Sequence, residues 1–123
     1  MVASPASLNS NYVPHRGDIV WFNFDPQAGR EQAGRRPALI LSDQAYNRRA
    51  ELVVLCPITS QNKPYPFFVP LPDGTLTKPS FVIADQVRCM DWVQRNAALI
   101  TQSPAGVLDR VTALATGLIQ GRV

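Results

Sequence analysis

Prolines are spread along the whole of this short chain, eleven of them in 123 residues. Each one fixes φ and lacks a backbone donor, so it interrupts helices and is confined to the edges, starts and bulges of strands. The chain therefore favours short strands and turns over long helices. A length of 123 residues indicates one domain with a single real core.

The apolar segments of the first half are short and rich in β-forming residues, and they predict strands at residues 18–24, 36–42 and 51–58. In the first segment Val20, Phe22 and Phe24 share one face. Pro37 indicates that the second strand begins there or lies at an edge. The polar residues 43–49 predict a turn or a short helix.

The second half adds a hairpin and one helix. A Pro-Asp-Gly turn at residues 72–74 predicts a hairpin between residues 67–71 and 80–88. Residues 90–94 and 97–101 predict a last pair of strands. The helix is predicted from Ser103 as N-cap and Pro104 in the first turn to a stop at Gly121. Its apolar face is formed by Val107, Leu108, Val111, Leu114, Leu118 and Ile119. Short strands closed by one helix indicate a mainly β fold, a small and partly open barrel.

The charge is +3, and ten of the twelve basic residues are arginine. The guanidinium fork matches phosphate and carboxylate groups, so a phosphate-bearing or acidic partner is indicated. Two polar loops stand out. Residues 29–36 (GREQAGRR) and 59–65 (TSQNKPY) combine cations, hydroxyls and an aromatic ring, which suits single-stranded RNA. On composition alone, a solvated loop with internal ion pairs explains the first of them equally well.

Several other functions are excluded by residue types. His15 is the one histidine, so a ribonuclease site with two histidines is impossible, and a surface position is expected for it. No zinc-type spacing, phosphate loop or cofactor motif occurs. Cys56 and Cys89 lie in apolar runs and are expected to be buried free thiols, the alternative being a disulfide.

The chain has no apolar stretch near the ~20 residues that a membrane span needs. Residues 1–11 are rich in Ser and Ala and lack a basic start, so they are expected to be a disordered tail and not a signal peptide. These features predict a cytoplasmic protein whose folded domain spans residues 12–121.

Six segments together resemble the MazF/PemK toxin family, in the order and at the spacing of that family. They are residues 17–21, 24–26, 29–37, 57–61, 65–67 and 84–87. The Glu-Gln-Ala-Gly-x-Arg-Pro element with Thr59 and the Asp85-Gln86 pair downstream is the specific part, and it is nearest the MazF branch. The resemblance implies an SH3-like barrel with a C-terminal helix, as a homodimer. It also implies the toxin of a toxin–antitoxin pair, a sequence-specific endoribonuclease that cleaves single-stranded messenger RNA by attack of the 2′-hydroxyl, without metal or cofactor.

The same resemblance implies roles for individual residues. Glu31 corresponds to the general base, Arg36 to the catalytic arginine and Thr59 to the threonine that holds the scissile phosphate. The implied RNA-binding residues are Arg30, Gln32, Ser60, Lys63, Tyr65, Asp85 and Gln86. Ile83 stands where the PemK branch has a catalytic arginine, so Arg36 must supply the guanidinium. Lys78, in a separate loop, is expected to matter far less.

Two other functions are compatible with such a barrel. One is a non-enzymatic toxin that acts by binding, as CcdB-like toxins do on DNA gyrase. The other is a plain RNA- or peptide-binding barrel. The presence of Glu31, Arg36 and Thr59 together favours the enzyme. The implied partner is an antitoxin whose acidic, disordered tail competes with RNA for a basic surface.

Overall fold

Seven short strands form an antiparallel sheet in the computed structural model, which describes residues 12–25 and 34–122. The strands are β1 Asp18–Asn23, β2 Arg35–Ile40, β3 Leu52–Thr59, β4 Phe68–Pro70, β5 Phe81–Ile83, β6 Arg88–Asp91 and β7 Ala98–Gln102. Their order is β4-β5-β3-β2-β1-β7, with β6 also paired to β3. Within this part of the chain β4 and β7 do not pair, so the sheet stays open, and the prediction of a mainly β, partly open fold with a C-terminal helix is confirmed. The predicted tail, residues 1–11, lies outside the described residues.

Two prolines lie where a strand lacks a hydrogen-bonded partner on one side. Along one edge, β3 pairs with β6 at residues 52–55 and then with β5 from Ile58 onward. Pro57, which has no N–H for the ladder, lies at that change of partner. Pro37 pairs with Trp21 of β1, whereas the pairing of β2 with β3 begins only at Ala38. Pro37 is therefore paired on one side only, although β2 begins two residues earlier, at Arg35, and is not an edge strand of the sheet.

Two hydrophobic clusters lie on the two faces of the central strands. One contains Ile19, Leu39, Ile58 and Val82 and is covered by helix α2, Val107–Ile119, through Val107 and Val111. The other contains the predicted face of β1, Val20, Phe22 and Phe24, together with Met90 and Trp92. No helix among the described residues has the length and apolarity that crossing a bilayer requires.

Helix α1, Gln44–Ala50, is held by one buried side chain. Asn47 is fully buried, and its amide donates to the carbonyl oxygens of Pro14 (2.8 Å) and Ser42 (3.0 Å). The Ser42 hydroxyl donates to Asn47 Oδ1 (2.6 Å), and the Trp92 indole donates to the Asn47 carbonyl (2.7 Å). Asp43 caps the helix by accepting from the Tyr46 backbone N–H. The Asn47 side chain thus ties α1 to the chain before β1, and the Asn47 backbone carbonyl ties it to Trp92 of the second core.

A second polar contact holds the segment before β1. The buried carboxylate of Asp18 accepts from the Tyr12 hydroxyl (2.8 Å) and from the His15 backbone N–H (3.0 Å). Burial, followed by the contact with Asp18, raises the pKa of Tyr12 well above its ordinary value. The His15 side chain is 56% exposed, which confirms its predicted surface position.

Three expectations about local structure are wrong. Helix α2 begins at Val107, with Gly106 (φ +88°) as N-cap, and not at Ser103, because the positive φ of Gly106 prevents an earlier start. β6 and β7 do not pair with each other; β6 pairs with β3 and β7 with β1.

The third concerns the cysteines. Cys56 is a buried free thiol, but Cys89 is exposed because its side chain leaves β6 on the side away from the core residue Met90.

Candidate active site

Arg36 and Thr59 are brought together by the register of β2 and β3. The last paired residues are Ala38 and Pro57. Continuing that antiparallel register by two residues places Arg36 opposite Thr59, beyond the point where the strands are hydrogen-bonded. Both residues line the same cavity. Two of the three predicted catalytic residues therefore lie at one place, where the splayed ends of two strands open to solvent.

The hydroxyl of Thr59 is oriented by its own loop. Thr59 is 5% exposed, and its Oγ1 accepts from the Gln61 backbone N–H (3.1 Å). Because the oxygen is used as an acceptor, its proton remains for donation to a bound group. This geometry suits a donor to a phosphate oxygen.

The third predicted catalytic residue, Glu31, lies outside the described residues, as do Arg30 and Gln32. The described residues on either side of that segment are joined. Phe24 donates its backbone N–H to the Gly34 carbonyl (2.8 Å), and the Gly34 N–H donates to Asp25 Oδ1 (2.9 Å). The described residues Asp25 and Gly34 are therefore neighbours, next to Arg35.

The cavity has a volume of 510 Å³, and five parts of the fold contribute to its walls. Its lining residues are Trp21, Arg35, Arg36, Pro37, Ile58, Thr59, Ser60, Gly74, Thr75, Leu76, Thr77, Lys78, Ser80 and Ile100. Three of them are cations, and no carboxylate is among them. Such a lining favours an anionic ligand. Ser60, predicted to bind RNA, belongs to this wall.

The minor role predicted for Lys78 rested on its position in a separate loop, and that role stays a prediction. Lys78 comes from the separate loop between β4 and β5, as the sequence indicated, but that loop folds back to form a wall of the cavity that holds Arg36 and Thr59. Leu76 of the same loop packs on the first hydrophobic cluster, which fixes the loop against the sheet. Lys78 is therefore not a remote residue.

Lys63 and Tyr65 belong to a neighbouring surface, the aromatic patch, formed by Lys63, Tyr65, Phe68 and Phe81. The Lys63 ammonium lies 5.8 Å from the centroid of the Tyr65 ring and 5.9 Å from that of Phe68. Phe68 stacks on Phe81 with centroids 5.6 Å apart, and Phe81 pairs with Thr59 across β3 and β5. The patch therefore continues from the cavity along the hairpin.

Asp85 and Gln86 lie at the far side of the aromatic patch. The Tyr65 hydroxyl donates to Asp85 Oδ2, and this bond is the main reason that the pKa of Tyr65 is raised. Tyr65 is therefore protonated and a donor at neutral pH. Asp85 Oδ1 and Gln86 Oε1 are buried acceptors without a hydrogen-bond partner in the described structure. The predicted RNA-binding residues thus divide between the cavity and the patch.

Sequence reasoning did not place Trp21 or Phe81 at the site, and it counted Arg35 only as part of the basic loop and Lys78 only as a residue of a separate loop. Trp21 was detectable, because the alternation that buries Val20 and Phe22 leaves Trp21 on the opposite face. The position of Lys78 was not detectable, since nothing local indicates which way a loop folds.

Ile83 is apolar and buried, so it cannot supply the cation that the PemK branch has at this position. In the residues that the structure describes, no group of three or more His, Cys, Asp or Glu side chains could hold a metal ion.

Comparisons with known proteins agree with this geometry. The model of the PemK-like, MazF-like toxins of type II toxin–antitoxin systems matches residues 15–116. Endoribonuclease toxin MazF of Escherichia coli K12 is 43% identical over 88 residues, 72% of this chain and 78% of that protein. The crystal structure of MazF from Deinococcus radiodurans is 48% identical with a TM-score of 0.83, covering 90% of this chain and 99% of that one.

A MazE–MazF structure from the same organism is 46% identical, with a TM-score of 0.79 over 92% of this chain and all of that one. The match spans the strands and loops that form the cavity. The chain therefore belongs to the PemK-like, MazF-like family of type II toxins.

Proposed function

We propose that this protein is an endoribonuclease toxin that cleaves single-stranded messenger RNA at particular sequences, by attack of a ribose 2′-hydroxyl on the adjoining phosphate. The observation that carries the proposal is the meeting of Arg36 and Thr59 in one cation-lined cavity without a carboxylate in its described walls. The endoribonuclease names of the relatives support it.

Two parts of the reaction have candidates among the residues: removal of the 2′-hydroxyl proton and stabilisation of charge on the phosphate. A bond forms from the 2′-oxygen to phosphorus, and the bond from phosphorus to the 5′-oxygen breaks; the leaving oxygen takes a proton from solvent, which gives a cyclic phosphate and a 5′-hydroxyl. We assign Glu31 as the acceptor of the 2′-hydroxyl proton. Negative charge grows on the phosphate oxygens, and the Arg36 guanidinium and the Thr59 hydroxyl stabilise it. Arg36 acts through charge, because arginine stays protonated in proteins.

We assign the remaining predicted residues to substrate binding. Arg30 and Gln32 flank the proposed base Glu31 in the sequence, and Ser60 follows Thr59 in the cavity wall. Lys63 and Tyr65 offer a charged and an aromatic surface for the next part of the strand. Asp85 accepts from the Tyr65 hydroxyl and the remaining side-chain oxygens of Asp85 and Gln86 are buried, so we assign this pair to supporting the binding surface. As in the MazE–MazF structures, an antitoxin is the proposed protein partner, and the active species is proposed to be a homodimer in the cytoplasm.

The test is cleavage of a long RNA by purified protein in excess EDTA. We expect discrete cuts, because the nucleophile is part of the substrate and the stabilising charge comes from Arg36. A substrate with 2′-deoxyribose at the mapped cleavage position should stay intact. Activity that disappears in EDTA and returns with magnesium would contradict a metal-independent reaction.

The alternative functions give different outcomes in the same experiment. A CcdB-like toxin that acts on a protein target, or a simple binding barrel, would leave the RNA uncut. Arg36→Ala should lower the cleavage rate by about 10²–10³-fold, the usual loss when one stabilising donor is removed. Arg48→Ala is the matched control, since Arg48 is an exposed arginine on α1 that does not line the cavity.

A further inference from the structure

Trp21 is a large aromatic side chain that neither core covers. Its neighbours Val20 and Phe22 are fully buried in the second cluster, and Ile19, two residues earlier on its own face, is fully buried in the first. Trp21 itself is 43% exposed and lines the cavity beside Arg36 and Thr59. The ring therefore offers an aromatic face to whatever enters the cavity. Aromatic rings in such grooves bind single-stranded nucleic acid by stacking on bases.

Lys78 lies in the same cavity, on a loop whose shape is fixed. The Leu71 backbone N–H donates to the Ser80 carbonyl (2.9 Å) and closes the base of the loop. Thr75 donates both its N–H and its hydroxyl to the Pro72 carbonyl, at 3.1 and 2.7 Å. The Ser80 hydroxyl donates to the Lys78 carbonyl (2.9 Å). The loop that carries the ammonium group is therefore ordered before any ligand binds.

The size and charge of the cavity match one nucleotide. Its 510 Å³ lies within the roughly 300–1,000 Å³ of sites that enclose small ligands. Lys78 and Arg35 supply charge for phosphate, and Trp21 with Ile100 supplies an apolar wall for a base. A peptide with acidic side chains would satisfy the cations but would leave the tryptophan face without a planar partner.

We propose that this cavity is a nucleotide subsite next to the scissile phosphate, in which Trp21 stacks on one base of the RNA and Lys78 binds the phosphate attached to it. The inference rests on the proposed ribonuclease function and extends it, since Trp21 and Lys78 hold the substrate while Arg36 and Thr59 act on it. Because stacking accepts any base, the subsite strengthens binding more than it selects sequence.

The test measures binding of a mixed-sequence single-stranded RNA in which fluorine replaces every 2′-hydroxyl, so that no cleavage can occur. Trp21→Ala should weaken binding by roughly 5- to 150-fold, the range for loss of one base–aromatic stack. Trp21→Phe should retain most of the affinity, because it keeps a ring. Tyr46→Ala is the matched control; Tyr46 is a 41% exposed aromatic residue on α1, outside the cavity.

Lys78→Ala tests the phosphate contact separately. It should weaken binding and reduce the slope of log K against log salt by about 0.7, the value for one phosphate contact on a single strand. Lys78→Arg should restore the slope, and Arg48→Ala should leave it unchanged. In cleavage assays Lys78→Ala should lower kcat/KM mainly through KM, in contrast to Arg36→Ala.

Three results would overturn the subsite. One is that folded Trp21→Ala and Lys78→Ala variants bind the RNA as tightly as their controls. Another is that Trp21→Ala changes only the oligomeric state, which would assign the ring to a contact between two copies of the chain. A third is that Lys78→Ala weakens an acidic antitoxin peptide and leaves RNA binding intact. If the wild-type protein cuts RNA, these results reject the subsite alone; if it neither binds nor cuts RNA, the proposed function fails as well.

Discussion

At the scale of single residues, the surroundings of Thr59 orient its hydroxyl so that it can donate a hydrogen bond into the cavity. It is the last residue of β3, nearly buried, and its oxygen already accepts from Gln61. Its remaining hydroxyl proton is the only group that this side chain can add to a bound phosphate. The value of that donor is largest in the transition state, when charge on the phosphate oxygens is greatest.

Thr59→Val, which removes the hydroxyl and keeps the shape, should lower the single-turnover cleavage rate by about 10²–10³-fold. Thr59→Ser should recover most of the rate, because it restores the donor. Thr116→Val, an exposed threonine on α2, serves as control for the exchange itself. A Thr59→Val protein that is folded and cuts RNA at the wild-type rate would remove Thr59 from the mechanism.

Tyr12 gives a prediction about pH. Its pKa is raised in the folded protein, by burial first and then by the Asp18 carboxylate, above the ordinary value of 10.0. A raised folded pKa means that the contribution to stability is complete below pH 10 and is lost as the pH rises above it, because the unfolded chain then releases a proton that the folded chain keeps.

Tyr12→Phe should therefore cost about 1 kcal/mol of unfolding free energy at neutral pH, the usual net value of one hydrogen bond. It should also make the fall in stability above pH 10 less steep. Urea unfolding of both proteins from pH 8 to 11 measures this difference. Parallel pH profiles would show that the Tyr12–Asp18 contact carries no linkage.

At the scale of secondary structure, α1 depends on contacts and not on propensity. It has only seven residues, too few for a helix that is stable alone. Asn47 connects it to the segment before β1 and to Ser42, through three side-chain hydrogen bonds. One of these bonds is buried and two are partly buried, so losing them leaves donors and acceptors with little access to water.

Asn47→Ala should lower the free energy of unfolding by about 3 kcal/mol, on the basis of about 1 kcal/mol for each of the three bonds. Chemical denaturation followed by circular dichroism is the measurement. Arg48→Ala, the next residue along the helix but exposed, should stay within about 0.5 kcal/mol of wild type. Equal stability of the two variants would show that α1 is held by other contacts.

The sequence predicted the elements better than their partners. Periodicity and turn residues located β1, β2, β3, the β4–β5 hairpin and the helix, because those signals are local. The pairing of β6 with β3 and of β7 with β1 depends on long-range contacts that no local signal contains. Likewise Arg36, Thr59 and Ser60 were recognised by their motif, whereas Lys78 reaches the cavity only because its loop folds back. The exposure of Cys89 was missed because the sequence does not show which face of a four-residue strand packs on the core.

At the scale of the whole molecule, the charge distribution matters more than the net charge of +3. Arg35, Arg36 and Lys78 converge on the cavity, and Lys63 extends the positive surface along the aromatic patch. Arg48 and Arg49 lie in the last turn of α1, away from it. One face therefore attracts phosphates, and an acidic disordered peptide would compete for the same field.

We predict that antitoxin and uncleavable RNA exclude each other, and that RNA affinity falls as salt rises. A competition titration with fluorescently labelled RNA and purified antitoxin is the measurement. The labelled RNA should be released fully as antitoxin saturates the toxin. A stable ternary complex with undiminished RNA affinity would show that the two ligands occupy separate surfaces.

The loop between β4 and β5 is a part of the cavity that can be changed without changing the sheet. It contributes one wall of the cavity from a single continuous stretch, while Arg36 and Thr59 come from the sheet. A hairpin loop accepts changes of length and composition at little cost to the core. The loop's contribution to RNA binding and the reacting groups of the sheet therefore lie on separate parts of the fold, and exchanging the loop should change RNA affinity while Arg36 and Thr59 stay in place.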